Sequence, residues 1–174
     1  LVNMKIEESK IKEYSGDSFD ITKTGGVSKI DFGNNKWIEN KEYYGKVFLG
    51  DCDPCTKIKA LYNDFTFDKI LIGGLGLGLL PQYAKEVKNC SVIDVIENNQ
   101  ELIDYVDYLE SPINVIKSDA LSYTPSKKYD LILIDLWWKE EDVTQEIQDN
   151  IKNNYNSYLE NNGKIIIPLL EKKL

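Results

Sequence analysis

Apolar residues run nearly unbroken through Ile70-Leu71-Ile72, residues 92–96, residues 113–116, residues 131–134 and Ile165-Ile166-Ile167. Short β-branched runs of this kind, bounded by polar residues or glycine, predict strands buried on both faces of a parallel sheet. The stretches between them repeat at helical spacing. Residues 79–87 form one such stretch. A second starts from a cap at Asn98 or Asn99 and runs to about Leu109, with Leu102, Ile103, Val106 and Leu109 inward. A third spans 142–159, with Val143, Ile147, Ile151, Tyr155 and Leu159 on one face and Asn161-Asn162-Gly163 ending it, so that Lys164 opens the last strand. A helix over 53–65 is also predicted, with Asp53 as N-cap and Pro54 at its first position. Strands alternating with helices make an α/β domain. Residues 4–50 differ. Runs at 19–22, 27–32, 36–39 and 44–49 are broken by Gly25-Gly26, Gly33-Asn34-Asn35 and Asn40-Lys41, which predicts an N-terminal β-hairpin region packed beside the sheet or over its ligand. The chain divides into that region, 4–50, and an α/β domain, 51–174.

The chemistry collects where the strands end. After Ile72 comes Gly73-Gly74-Leu75-Gly76-Leu77-Gly78, then a helix with Pro81 in its first turn. Gly74, Gly76 and Gly78 let the backbone turn and approach a ligand closely. A strand, a glycine loop and a helix N-terminus suit a nucleotide-like ligand, and a plain tight turn is the alternative. About 20 residues on, the next strand ends in Glu97, the paired position for an acid that accepts from ribose hydroxyls. The third strand is followed by Ser118-Asp119-Ala120, and the fourth delivers Asp135-Leu136-Trp137-Trp138 to the same edge.

The glycines run G-x-G-x-G, and Leu79 stands where the dinucleotide fingerprint needs its last glycine. This spacing resembles motif I of the class I S-adenosylmethionine (SAM)-dependent methyltransferases. The Gly73-Gly74 doublet is similar to the glycine motif of the spermidine synthases, which share that fold. The resemblance implies a Rossmann-like methyltransferase fold of about five parallel strands, ordered 3-2-1-4-5 and flanked by helices. After its last strand the chain is expected to have no room for that fold's usual C-terminal antiparallel strand pair, so the sheet edge there is expected to be covered by the hairpins or by a second subunit. The resemblance also implies that the glycine loop holds the methionine portion, Glu97 the ribose, and Asp119, before the small Ala120, the adenine amino group. Asp119 read from its residues alone is an N-cap for 120–123. Asp135 matches the position at which amino-group methyltransferases and spermidine synthases place a catalytic Asp. Trp137 and Trp138 stack on a flat or cationic acceptor, or else pack the loop or a subunit interface. The family patterns differ in three places. Ile72 stands where an acid often precedes the first glycine, 75–78 holds no acid, and the N-terminal glutamine and Asp-Glu/Tyr-His signature of the synthases is absent.

Composition narrows the chemistry. With 174 residues the chain can bury one proper core. It has no His, and all 21 basic residues are Lys. Acid–base work therefore falls to Asp, Glu, Lys, Tyr or Cys, and His metal ligands and Arg clamps are excluded. A net charge of −8 argues against a broad nucleic-acid surface and suits solubility or a cationic ligand. No run has the length of a membrane span, and no signal peptide stands out. Cys52, Cys55 and Cys90 are read as reduced thiols of a cytoplasmic protein. A lone C-x-x-C has too few companion ligands for zinc, so no metal site is expected.

Three functions fit these features. The first is a SAM-dependent transferase, most simply a methyltransferase acting on a nitrogen or oxygen of a small or cationic acceptor. The second is polyamine aminopropyl transfer from decarboxylated SAM. The third is a SAM-binding or SAM-degrading protein without an acceptor. A homo-oligomer is compatible with each.

Overall fold

In the computed structural model, residues 5–43, 46–49, 66–86, 88–170 and 172–174 are described. Two six-stranded sheets form the frame. The predicted 53–65 helix, the C-x-x-C cysteines and Val87 lie outside the described residues.

The second sheet contains the apolar runs. β7 (Lys69–Gly73), β8 (Val92–Glu97), β9 (Ile113–Lys117), β10 (Tyr129–Ile134) and β11 (Leu159–Ile167) are parallel and lie side by side as β9-β8-β7-β10-β11. One element departs from the five-strand expectation. β12 (Lys172–Lys173) adds antiparallel to the outer edge of β11. Burial follows the pleat. Ile70, Ile72, Leu131 and Leu133 pack into one core, while Leu71, Ile132 and Ile134 pack into a second core on the other face. Two helices, α1 (Leu79–Glu86) and α2 (Gln100–Tyr105), supply side chains to the first core. α3 (Gln145–Tyr155) supplies Ile151 and Tyr155 to the second.

Two helices are shorter than their apolar periodicity predicts. α2 starts at its Asn99 cap but stops at Tyr105. The 142–159 stretch breaks into a 3-10 turn at Glu140–Asp142, then α3 capped by Thr144, then another 3-10 turn at Asn156–Tyr158. β11 begins at Leu159, not Lys164. Two steps along β10, from Tyr129 to Leu131, match five along β11, from Leu159 to Lys164, so β11 bulges there. Asn162 takes φ +64 in the bulge. A Cβ on Gly163 would meet Tyr129 O at 3.0 Å, so a glycine that reads as a helix stop instead lets two strands approach.

The N-terminal region is a continuous antiparallel sheet rather than separate hairpins. It comprises β1 (Lys5–Glu7), β2 (Tyr14–Ser15), β3 (Asp20–Thr24), β4 (Val27–Asp31), β5 (Trp37–Tyr43) and β6 (Lys46–Leu49), ordered β1-β6-β5-β4-β3-β2. Its inward residues Phe19, Ile21 and Ile30 join the first core. The loop around β2 is latched to α2. Glu101 accepts from Tyr14 Oη at 2.7 Å, Asp17 N at 2.9 Å, Ser18 N at 3.0 Å and Ser18 Oγ at 2.7 Å. Tyr105 Oη donates to Lys12 O at 2.7 Å and accepts from Lys12 N at 2.9 Å.

Candidate functional site

Register assembles the site. Gly73 pairs with Ile96 of β8 and Ile134 of β10. The residues that follow, Gly74, Glu97 and Asp135, therefore leave the sheet side by side at its carboxyl edge. Gly74 N donates to Ile96 O and Asp135 N to Gly73 O, each at 2.9 Å. These bonds carry the strand geometry one residue into the loops.

A cavity of about 540 Å³ opens at this edge. Gly74, Gly76, Glu97, Asp135, Trp137 and Trp138 line it, together with Leu75, Leu77 and Leu136. The opposite wall comes from the N-terminal sheet, through Phe32, Trp37, Ile38 and Asn40. Ile38 Cδ1 lies 3.8 Å from a Cβ built on Gly76, so the two walls meet at the glycine loop.

Each carboxylate has a definite setting. Glu97 accepts from Leu75 N at 3.1 Å through one oxygen and from Asn99 N at 2.8 Å through the other. It thus ties the glycine loop to the start of α2. Each oxygen keeps lone-pair capacity for a ligand hydroxyl. Asp135 is half-buried on the cavity wall. Asp119 is exposed and outside the cavity lining. Its Oδ1 accepts from Leu121 N at 2.9 Å, which is the capping contact expected of it. Ala120 is buried in the second core, and its carbonyl accepts from the Tyr155 hydroxyl. Gly78 is likewise away from the lining. Its carbonyl accepts from Gln82 N at 3.2 Å at the start of α1, and Leu109 packs against it.

The two tryptophans part ways. Trp137 packs against the second core. Trp138, 41% exposed, meets Phe32 edge to face at 5.8 Å, with Lys36 Nζ 5.5 Å from its ring. Phe32 continues to Phe19 at 6.0 Å, and Phe19 to Tyr14 at 5.0 Å, so aromatic contacts join the cavity rim to the Glu101 latch.

The sequence reading set the N-terminal β region beside the sheet or over its ligand but singled out none of the residues that line the cavity from it. Its signal was available in β5, where Ile38, Asn40 and Glu42 alternate with exposed Trp37, Glu39 and Lys41. A polar Asn at an inward position of a half-buried strand is the informative departure. Among the described residues, no group of three or more His, Cys, Asp or Glu could hold a metal, and no helix is long and apolar enough to cross a membrane. Cys90 is buried and free, and burial, reinforced by Asp68 and Asp130, pushes its thiol up to about 12.

No protein-family model matches this sequence, and no curated protein does. Solved structures do. An S-adenosylmethionine-dependent methyltransferase from Clostridium acetobutylicum ATCC 824 aligns with TM-score 0.51 and 18% identity, over 67% of this chain and 50% of that one. DhpI, in a complex with SAM and HEP, aligns with TM-score 0.52 and 13% identity, over 63% of this chain and 50% of that one. The plantazolicin methyltransferase BpumL, in complex with SAH, is 23% identical over 64% of this chain and 42% of that one, with TM-score 0.48. At these identities the likeness is one of fold. This chain spans half or less of the length of each of these structures.

Proposed function

We propose that this chain carries the SAM-binding part of a class I SAM-dependent methyltransferase, residues 51–174, with residues 4–50 as the wall of its cavity. The observation that supports this most is the register that sets Gly74, Glu97 and Asp135 side by side, facing one cavity. The residues fit the cofactor. Gly74 and Gly76 line the cavity with positive-φ backbone that carries no side chain, Glu97 is oriented by two backbone donors, and Leu75, Leu77 and Leu136 line the space with apolar surface. When bound, SAM supplies a methyl group already activated on a sulfonium. The chain's part is then mainly positioning. Glu97 would hold the ribose and the glycine loop the methionine portion. Asp119 would hold the adenine, once its side chain turns from its cap toward the edge. Asp135 would orient a nitrogen or oxygen acceptor and take its proton. Trp138, with Trp137 beside it, would offer a face to a flat or cationic acceptor. A small-molecule acceptor and a cytoplasmic setting complete the reading, and a homo-oligomer is compatible with it.

A second reading, within the spermidine-synthase-like branch, is favoured by one feature, the N-terminal antiparallel sheet that walls the cavity. It makes decarboxylated SAM the donor. Calorimetric titration with SAM, decarboxylated SAM and NAD, each mixture then analysed by mass spectrometry, separates the readings. Tighter SAM binding with the ligand intact supports the methyltransferase. Preference for decarboxylated SAM transfers the assignment to aminopropyl transfer. SAM breakdown without an acceptor makes the chain a SAM-consuming enzyme. Absence of binding removes the nucleoside reading.

A further inference from the structure

Asn40 stands apart among the lining residues. It is 1% exposed, yet neither Nδ2 nor Oδ1 has a hydrogen-bond partner among the described residues. A buried amide left unpaired is costly, and native structures rarely leave both of its ends so. The described polar side chains on the neighbouring strands are already engaged. Ser28, its register partner on β4, is bonded to Glu42, and Lys23 Nζ lies 3.6 Å from Glu42. Among the described residues the other buried orphan, Gln82 Oε1, belongs to α1 and does not line the cavity. Ile38, two residues before Asn40 on the same face of β5, is the residue that meets the glycine loop.

Charge says what such an amide is for. Glu39, Glu97 and Asp135 line the cavity, and no Lys is found among its described lining residues. A ligand ammonium is welcome there, whereas a ligand carboxylate needs a donor that the acids do not provide. A carboxamide offers two N–H donors on one side and an acceptor oxygen on the other. We infer that Asn40 recognises the amino-acid end of SAM, with Nδ2 donating to the α-carboxylate and Oδ1 accepting from the α-ammonium. This rests on the SAM reading above and adds a specificity residue from the N-terminal wall. It also makes Asn40 the group that tells SAM from its decarboxylated form.

The test is calorimetry of wild type and Asn40→Leu with SAM, decarboxylated SAM and methylthioadenosine, which lacks the amino-acid end. Asn40→Ser is run alongside in case the leucine variant fails to fold. The expected result is SAM binding weakened about tenfold or more in the variants, the value of one or two hydrogen bonds to charged groups. Methylthioadenosine binding should be unchanged, and the preference for SAM over decarboxylated SAM should shrink. SAM binding that survives intact in the variants, or equal losses for SAM and methylthioadenosine, overturns the assignment of Asn40. Wild type that binds neither SAM nor methylthioadenosine instead overturns the nucleoside reading beneath it.

Discussion

A Cβ on Gly74 would stand 2.4 Å from the carbonyl oxygen of Asp135, and Gly74 holds φ +105. Two strand ends thus approach at a position where L side chains are excluded by both space and conformation. Gly74→Ala is expected to cost about 1–3 kcal/mol of stability, the usual strain for such a backbone position. It should also weaken SAM binding by pushing the Asp135 loop away. A thermal melt and a SAM titration check both, and a variant as stable and as tight-binding as wild type would contradict the close approach.

Asp135 is expected to act on the acceptor rather than on the cofactor. Asp135→Asn should leave SAM affinity within about threefold while lowering methyl transfer by roughly 10²–10⁴, the range for a lost general base. Single-turnover assays on an acceptor found by screening, paired with SAM calorimetry, measure the two quantities separately. Full turnover in the variant would end the proposed role.

The latch on α2 is expected to make the N-terminal wall sensitive to acid. Ser18 and Tyr14 hydroxyls and the backbone of Ser18 and Asp17 hold the Glu101 carboxyl below its ordinary 4.5. A carboxylate with a depressed folded-state pKa contributes its stability above the ordinary value and loses it as pH falls through the depressed one. The Tm gap between wild type and Glu101→Gln should therefore be widest near neutral pH. It should narrow as pH falls below about 4.5. A gap independent of pH would mean that the carboxylate charge does nothing at the latch.

Cys90 should be inert in the folded protein. Its thiol, buried and raised to about 12, forms almost no thiolate at neutral pH. Iodoacetamide followed by peptide mass spectrometry should leave Cys90 unmodified natively and label it fully in denaturant. Native labelling at the rate of a free thiol would contradict its burial.

Much of this architecture was legible from local pattern. The runs at Ile70-Leu71-Ile72 and 131–134 are apolar at every position because both faces of the sheet are covered, and covered strands advertise themselves. Glu97 and Asp135 were legible because an acid directly after such a run has to emerge at the carboxyl edge. What was hidden depends on partners far away in sequence. The β11 bulge arises because β10 meets Leu159 and Lys164 only two residues apart, which the Asn161-Asn162-Gly163 punctuation disguised as a helix stop. The residues that line the N-terminal wall were hidden for the same reason. Asn40 has an ordinary turn-like neighbourhood in sequence, and only the packing of β5 over the glycine loop brings it to the cavity.

Glu97, Asn99 and Glu101 lie within five residues, and their carboxylates and amide grip three different parts of the molecule. Glu97 holds the glycine loop, Asn99 caps α2 and donates to Ser18 Oγ at 2.9 Å, and Glu101 clasps Tyr14 and Ser18. Ordering of this stretch from the cavity side is expected to order it on the other, and linkage between two such events runs both ways. Amide exchange at Asp17 and Ser18, which do not line the cavity, is therefore expected to slow when SAM binds as proposed, and loss of the latch is expected to weaken that binding.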